Sequence, residues 1–328
     1  MTLIVERAGF VTTVQDLGRR GHRASGVSLG GALDTNALRV ANLLVGNDPA
    51  CAGLELSMGN VRLRFADDRL VAWCGGVFDV HIGEAVAGSG RAALVRAGEE
   101  VLIAARQGRA WLAISGGIDV PPVLGSRSTD LRSGFGGFAG RALRDGDLVR
   151  LGTLSCSSNA LTKKLWTKRV ADWSAPNEWS NTALRHPFLR IIAGPDRDLF
   201  EPTALERLVY EPFTVSADSD RMGVRLDGPE LQRRIAGDLL SETVVPGTIQ
   251  VPPDGQPIIL LPDCQTIGGY PKIAHVITVD LAAAAQLQAG DTVRFVETDV
   301  AGAQRALAER ERQLALFRVG LELRTRWS

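Results

Sequence analysis

The chain has 328 residues, of which 45% are hydrophobic and 23% are charged, and its 37 basic residues balance its 37 acidic ones. These values are typical of a folded globular protein, and the charge balance favours neither a nucleic-acid partner nor a membrane surface. No apolar run approaches the ~20 residues of a membrane span. The first residues lack a signal-peptide pattern, and the four scattered cysteines form no metal-binding spacing. We therefore expect a cytoplasmic protein with free thiols and no metal site.

Brief apolar runs bounded by Gly, Asp or Pro predict a mainly β chain. These runs are Leu70–Trp73, Val101–Ala104, Trp111–Ile114, Ile191–Ala193 and Pro257–Leu261. The clearest helix follows Asp34, a good N-cap residue, and is predicted to extend through Val45. Residues 155–181 are polar and are interpreted as a linker, whereas the chain from Val300 onward is predicted to be helical. That last helix could pack on its own barrel or dock on a partner.

These elements predict four segments. Residues 1–154 form an N-terminal β-barrel-like subdomain, and residues 155–185 form a linker or interdomain extension. A second β-barrel-like subdomain covers residues 186–298, and a C-terminal helix and tail cover residues 299–328.

A repeated motif suggests that the two barrels are related. Asp16, Arg19, Gly21, Arg23 and Gly26 recur at the same spacing as Asp218, Arg221, Gly223, Arg225 and Gly228. A helix candidate follows each copy, after Asp34 in the first half and over Glu230–Ala236 in the second. The segment Ala97–Val101 is echoed by Ala289–Val293. We favour a duplication; the alternative is convergent turn chemistry, because β-turns everywhere need Gly and Asp.

Four polar, Gly-rich clusters are candidates for chemistry, at residues 12–19, 125–137, 219–223 and 263–272. Arg, Lys and the N–H groups exposed by Gly can hold a carboxylate, a phosphoryl group or an oxyanion, while Asp and Gln can orient substrate or water. The first and third clusters contain the repeated motif, so folding and function are equally good explanations. The second and fourth have no clear copy, which favours function. The sequence contains no phosphate loop, dinucleotide fingerprint or H-E-x-x-H motif.

The same clusters carry a family resemblance. Segments 12–19, 125–130, 219–223, 245–252 and 268–272 resemble the allophanate hydrolase subunit 2 family, also described as biotin-dependent carboxyltransferase-like. The resemblance runs in one order over about residues 3–298 and is nearest to the members that serve as the C subunit of 5-oxoprolinase. Two positions depart from the family pattern, since Val224 stands where a Tyr is usual and Ile267 where a Thr is usual.

The resemblance implies a fold and partners. The expected fold is two tandem, related cyclophilin-like β-barrel subdomains with few short helices. The expected partners are a B-type protein of the allophanate hydrolase subunit 1 family and an A-type lactam-utilisation protein. Together these would open the lactam of 5-oxoproline with ATP, which we expect to be bound at the level of the complex. A small-molecule substrate is implied, and we expect the chain to be inactive alone.

The resemblance and the clusters together give two groups of candidate residues. The candidate catalytic residues are Lys272, Arg221, Asp263 and Gln265. The candidate substrate- or nucleotide-binding residues are Arg127, Ser128, Thr129, Asp130, Gln250, Gly268, Gly269, Tyr270, Asp16 and Arg19.

Three functions compete. The leading one is the C subunit of an ATP-dependent 5-oxoprolinase, in which the cationic clusters would offset charge on a transferring phosphoryl group and on the substrate carboxylate. The second is the carboxyltransferase component of a biotin-dependent urea carboxylase or allophanate hydrolase system. The third is a non-catalytic regulatory protein that antagonises a kinase inhibitor. Burial of Arg127, Lys272 and Asp263 in structural pairs without a cleft would favour the third.

Overall fold

A computed structural model describes residues 1–182, 187–234, 237 and 239–326. The chain divides into two compact units. Unit 1 contains residues 1–19, 30–183 and 313–328, and unit 2 contains residues 20–29 and 184–312. Two short segments thus belong to a unit other than the one their place in the sequence suggests.

Unit 1 is built on one antiparallel sheet. Its described part has nine strands: six follow the order β2-β3-β8-β4-β1-β9, and β5, which pairs with β8, also pairs with β6 and β7. Strand β4 shows why such segments form strands, since it alternates buried Val61, Leu63 and Phe65 with polar neighbours. The strands are β1 (Thr2–Ala8), β2 (Thr12–Gln15), β3 (Gly53–Leu56), β4 (Asn60–Phe65), β5 (Arg69–Ile82), β6 (Ala85–Val86), β7 (Ala93–Val95), β8 (Glu100–Ile114) and β9 (Leu148–Arg150).

Three helices accompany this sheet in the described residues: α1 (Thr35–Leu44), α2 (Cys156–Lys168) and α3 (Asn177–Ser180). The prediction for α1 is confirmed, because the Asp34 carboxylate accepts a hydrogen bond from the Ala37 N–H at 2.8 Å. Helix α2 lies in the segment interpreted as a linker. Its Ser155 cap and its buried Leu161 and Leu165 anchor it on unit 1.

Unit 2 is a closed barrel with strand order β10-β17-β14-β15-β12-β11-β18 in its described residues. The parallel pairing of β10 with β18 closes it. The strands are β10 (Phe188–Ala193), β11 (Phe213–Val215), β12 (Gly223–Asp227), β14 (Thr248–Gln250), β15 (Ile258–Leu260), β17 (Lys272–Val276) and β18 (Thr292–Glu297). Strands β13 (Glu242–Thr243) and β16 (Ile267–Gly268) form a separate two-stranded ribbon. The helices are α4 (Pro202–Tyr210) and α5 (Leu281–Ala284), with 3-10 turns at Arg23–Ser25, Arg197–Leu199 and Thr278–Asp280.

The predicted C-terminal helix is α6 (Val300–Arg326). Its last turns belong to unit 1, where Leu314 and Leu321 are buried and the Phe317 ring contacts Trp179 edge to face at 5.8 Å. This end of the helix therefore packs on its own chain. Among the described residues, no helix combines the length and apolar character needed to cross a bilayer. The mainly β fold with a barrel, few short helices and a C-terminal helix is confirmed.

The two copies of the repeated motif do not share a local structure. In the first copy, Arg23–Ser25 is a 3-10 turn; in the second, the equivalent residues lie in strand β12. The helix predicted over Glu230–Ala236 is wrong for residues 230–234, which are not helical, and Ile235 and Ala236 lie outside the described residues. The equal spacing of the motif therefore does not correspond to one repeated local element.

The echo of Ala97–Val101 in Ala289–Val293 is a shared turn, but it is not limited to two copies. Gly98 and Gly290 both have positive φ, and in each turn the following acidic side chain accepts a backbone N–H three residues earlier at 2.8 Å. A third turn of this kind precedes β9, with Gly146 at φ 89° and the Asp147 carboxylate accepting the Arg144 N–H at 2.7 Å. Two of the three lie in unit 1, so this turn is a general way of entering a strand.

Candidate functional site

The first and second clusters join in unit 1 around the Asp16 carboxylate. Its Oδ1 atom accepts hydrogen bonds from Ser126 Oγ and Ser128 Oγ, both at 2.6 Å, and from the Gly18 N–H at 2.9 Å. Its Oδ2 atom accepts the Arg127 N–H at 2.5 Å. Asp16 is only 9% exposed, so its two oxygens are largely used by its own chain. The carboxylate thus fixes the loop after residue 125 to the end of β2.

Arg19 and Asp130 complete this network. Arg19 is fully buried, donates to the Ser128 carbonyl, and lies over the Phe135 ring at 4.6 Å. Asp130 accepts the Ser133 N–H at 2.8 Å, which shapes the next turn of the same loop. Thr129 donates from its hydroxyl to the Val14 carbonyl at 3.0 Å. These contacts are those of a loop anchor.

Arg127 is the most accessible of the four candidate binding residues in the second cluster, with 41% of its side chain exposed. Its Nε donates to the Val120 carbonyl at 2.9 Å, and its Nη2 lies 3.8 Å from Asp119. Asp119 makes a closer pair with Arg150 at 2.9 Å. Arg127 is therefore held at Nε by the Val120 carbonyl, while part of its side chain faces solvent.

The fourth cluster centres on Lys272, at the start of strand β17. The residue is 6% exposed, and its Nζ lies 2.6 Å from the Glu242 carboxylate and 3.3 Å from that of Asp196. Burial alone would lower the pKa of Lys272, but the bonds to Glu242 and Asp196 outweigh it and hold the pKa above its ordinary value. Lys272 is therefore a nearly buried cation that is protonated at neutral pH.

A β-bulge in strand β17 determines which face of the barrel wall carries the Lys272 side chain. Strands β14 and β17 pair Thr248 with His275 and Gln250 with Lys272, and the register shifts between these pairs. Because Thr248 and Gln250 lie two residues apart on one face, the extra residue in β17 brings Lys272 and His275 onto that same face. The bulge thus collects four polar side chains on one side of the barrel wall.

His275 belongs to this group although no sequence pattern singled it out. Its Nδ1 lies 3.2 Å from the Thr248 hydroxyl, which also accepts the Val245 N–H at 3.2 Å. Burial lowers the pKa of His275, and the positive charge of Lys272 lowers it further against an opposing effect of Asp196. The imidazole is therefore neutral at neutral pH.

Of the two adjacent glycines of the fourth cluster, Gly268 lies close to Gln250. Gln250 is 1% exposed and donates from Nε2 to the Tyr270 carbonyl at 3.0 Å. A Cβ on Gly268 would lie 2.8 Å from that same Nε2, so only glycine permits this approach without displacing the amide. Gly269 has more room, since the nearest atom to its Cβ position, the Leu239 carbonyl, is 3.3 Å away. Gly268 therefore contacts the polar face closely, whereas the Tyr270 side chain is 46% exposed.

Arg221 and Asp263 form another ion pair in unit 2. Arg221 Nε lies 2.8 Å from Asp263 Oδ2, and both side chains are about 15% exposed, at 14% and 16%. Strands β12 and β15 pair at Gly223 and Leu260, so the ion pair lies just beyond the paired ends of these strands. The exposed Asp218 has no counterpart of the Asp16 network in the described residues; Asp220 instead accepts the Met222 N–H at 2.7 Å.

Gln265 takes part through its backbone. Arg23, from the segment that belongs to unit 2, donates to the carbonyls of Val244 and Gln265, the latter at 3.3 Å. Val244 also donates its N–H to the Thr266 carbonyl at 3.1 Å. Arg23 thereby fixes the base of the β13–β16 ribbon.

The structure brings the predicted residues together as two centres, one in each unit. Asp16, Arg19, Arg127, Ser128, Thr129 and Asp130 lie in unit 1, and Arg221, Gln250, Asp263, Gln265, Gly268, Gly269, Tyr270 and Lys272 lie in unit 2. Sequence reasoning missed Asp196, Glu242 and His275. Within the described residues, no group of three or more His, Cys, Asp or Glu side chains is arranged to hold a metal ion.

Comparison with known proteins defines the class. Residues 25–297 match the family described as "Carboxyltransferase domain, subdomain A and B", and the chain belongs to this family. The predicted resemblance is thereby confirmed.

Particular relatives narrow the class. The chain is 38% identical over 315 residues to the 5-oxoprolinase C subunit of Escherichia coli (strain K12), covering 94% of this chain and 96% of that protein. It is 34% identical over 285 residues to the 5-oxoprolinase C subunit of Haemophilus influenzae, covering 86% and 87%. Among solved structures, the Kluyveromyces lactis urea carboxylase superposes with a TM-score of 0.86 at 28% identity, covering 96% of this chain and 29% of that one.

Proposed function

We propose that this chain is the C subunit of an ATP-dependent 5-oxoprolinase complex. The reaction converts 5-oxo-L-proline, ATP and water to L-glutamate, ADP and phosphate. The observation that carries the proposal is the Lys272 centre, a nearly buried cation already bound to carboxylates, in a chain similar over nearly its whole length to the 5-oxoprolinase C subunit.

The chemistry of these side chains suits an anionic substrate. A lactam carbonyl is a poor electrophile, and ATP would supply a phosphoryl group that turns its oxygen into a leaving group. Lys272 and Arg221 each bind a carboxylate in the structure, so their donors fit a substrate carboxylate or a phosphoryl oxygen. Positive charge held in place before reaction stabilises developing negative charge without reorganisation. Gln250 would orient the substrate through its amide.

The remaining parts belong to partners in this proposal. We assign the B-type protein of the allophanate hydrolase subunit 1 family and the A-type lactam-utilisation protein as partners, with ATP bound at the level of the complex. A cytoplasmic setting fits the four cysteines, all of which are free thiols. The substrate is a small molecule.

Two alternatives rest on specific observations. The superposition on urea carboxylase favours carboxyl transfer, in which the same cations would stabilise a biotin oxyanion. The engagement of Lys272 and Asp263 in ion pairs favours a regulatory binding protein. Arg127 does not fit the regulatory alternative, which expects this side chain to be buried in a structural pair, because 41% of it is exposed.

The test is ATP-dependent glutamate release from 5-oxoproline by the reconstituted complex. Lys272→Met should lower kcat/KM by about 10²-fold or more, the typical loss for one preorganised charge-stabilising donor. Lys168→Met is the matched control, because Lys168, the last residue of α2, makes an exposed pair with Asp172 and its loss should leave activity unchanged. Lys272→Arg keeps the charge for Asp196 and Glu242 and separates loss of chemistry from loss of folding.

Three results distinguish the functions. Glutamate release by the wild-type complex that is lost in Lys272→Met supports the proposal. Carboxyl transfer from carboxybiotin without glutamate release would replace it with the first alternative. Neither activity, together with binding to a partner that Lys272→Met leaves unchanged, would replace it with the regulatory role.

A further inference from the structure

The polar face that carries Lys272 is covered by the β13–β16 ribbon. Ile249 pairs with Ala274, and both are fully buried in the barrel wall, so alternation places Thr248 and Gln250 on the opposite, outer face. These two residues are nevertheless 0% and 1% exposed. The close approach of Gly268 to the Gln250 amide shows that the ribbon covers Gln250, and Glu242 of the same ribbon contacts Lys272.

The two carboxylates on Lys272 are held very differently. Asp196 accepts the Lys272 backbone N–H at 2.8 Å as well as contacting Nζ, and its side chain is 19% exposed. The Glu242 carboxylate contacts Nζ at 2.6 Å, and 64% of its side chain is exposed. Asp196 is thus a fixed partner, whereas Glu242 reaches the buried cation from solvent on a two-residue strand.

We infer that the Glu242 carboxylate occupies the place on Lys272 that the substrate carboxylate takes, so that a carboxylate substrate binds by displacing it. The inference rests on the proposed function, because it takes Lys272 to be the substrate-binding cation. The ligand class is a small monocarboxylate, which matches Glu242 in charge and geometry.

Replacing the Glu242 carboxylate by a substrate carboxylate on Lys272 changes the free energy little. An ion pair with one well-exposed partner contributes little, because solvent competes for the exposed carboxylate. An incoming carboxylate restores the same contact, so Lys272 is not left as an unpaired buried charge. Asp196 remains bound to both the backbone and Nζ of Lys272 and keeps the cation in position throughout.

The test is Glu242→Gln in the reconstituted complex, with 5-oxoproline as the probe. Removing the competing charge should lower KM by up to about five-fold with little change in kcat. Glu297→Gln is the matched control in the same unit, because Glu297 is 46% exposed and pairs with Arg197. It should leave KM unchanged.

An unchanged or raised KM in Glu242→Gln, with an active wild-type complex, overturns this inference and leaves the proposed function standing. A wild-type complex that releases no glutamate overturns the proposed function, and this inference with it.

Discussion

Replacing Asp16 by Asn should destabilise unit 1, whereas the same change at Asp218 should not. The two residues hold the same position in the repeated motif, but only Asp16 is buried within a hydrogen-bond network. Asp218 is exposed. Comparing the two variants therefore tests whether burial in the hydrogen-bond network, or the position in the motif alone, determines how much each aspartate contributes to stability.

The magnitude follows from the four hydrogen bonds to Asp16. In the Asp16→Asn variant one side-chain oxygen can still accept from Ser126, Ser128 and Gly18, but the new amide NH₂ faces the Arg127 N–H, so one buried donor loses its acceptor. Leaving a buried donor unsatisfied costs about 1–3 kcal/mol, and losing the charge weakens the other bonds. We expect a total of about 2–4 kcal/mol for Asp16→Asn and less than about 0.5 kcal/mol for the exposed Asp218→Asn.

Urea unfolding is the appropriate assay, followed by tryptophan fluorescence for unit 1 and by far-UV circular dichroism for the strands of both units. All six tryptophans fall within the ranges of unit 1, and both tyrosines fall in unit 2, so tryptophan emission reports unit 1. With a slope of about 2 kcal/mol/M, the midpoint of Asp16→Asn should fall by about 1–2 M. Equal midpoints for the two variants, or a loss only in Asp218→Asn, would refute this account of the motif.

Three further outcomes follow from the structure of unit 1. The hydrogen bond from Arg141 lowers the pKa of Asp147 in the folded protein. The pair therefore stabilises the fold at pH values above the unfolded-state pKa near 3.8, and this contribution is lost as the pH falls through the lower folded-state pKa. Asp147→Asn should remove that loss of stability from acid unfolding curves. Cys156 is exposed, whereas complete burial strongly raises the pKa of Cys74. A thiol reagent should therefore label Cys156 rapidly and Cys74 only after unfolding. Cys156→Ser should abolish the fast phase of labelling. Gly75→Ala should lower the free energy of unfolding by about 2 kcal/mol or more, which is measured as a lower urea midpoint. The reason is that φ of Gly75 is 126° and the new Cβ would collide with the Arg109 carbonyl oxygen of the facing strand.

Local signals explain which parts of the fold could be predicted. The Asp34 cap acts on an N–H three residues away, so the sequence around it contains the whole interaction. The residues of the second motif copy become a strand because Gly223 pairs with Leu260, and nothing within the motif specifies that distant partner. A match in spacing therefore does not by itself predict that two segments adopt the same local structure.

The candidate sites show the same limit. Sequence reasoning selected both Asp16 and the Ser126–Ser128 loop but could not show that they bind each other across 110 residues. Lys272 was selected, yet its partners Asp196 and Glu242 carry no distinctive signal. A lysine at the start of a buried strand predicts only that acidic partners exist, since a buried charge must be paired.

Burial alone does not separate a structural polar centre from a binding site in this chain. Asp16 and Lys272 are nearly equally buried, at 9% and 6% exposure. The partners of Asp16 are loop hydroxyls and backbone N–H groups of its own unit, so a ligand could reach it only by dismantling the loop. One partner of Lys272 is a mostly exposed carboxylate that an anion of the same shape can replace. The exchangeability of its partner, more than the burial of the cation, therefore makes Lys272 the better candidate for substrate binding.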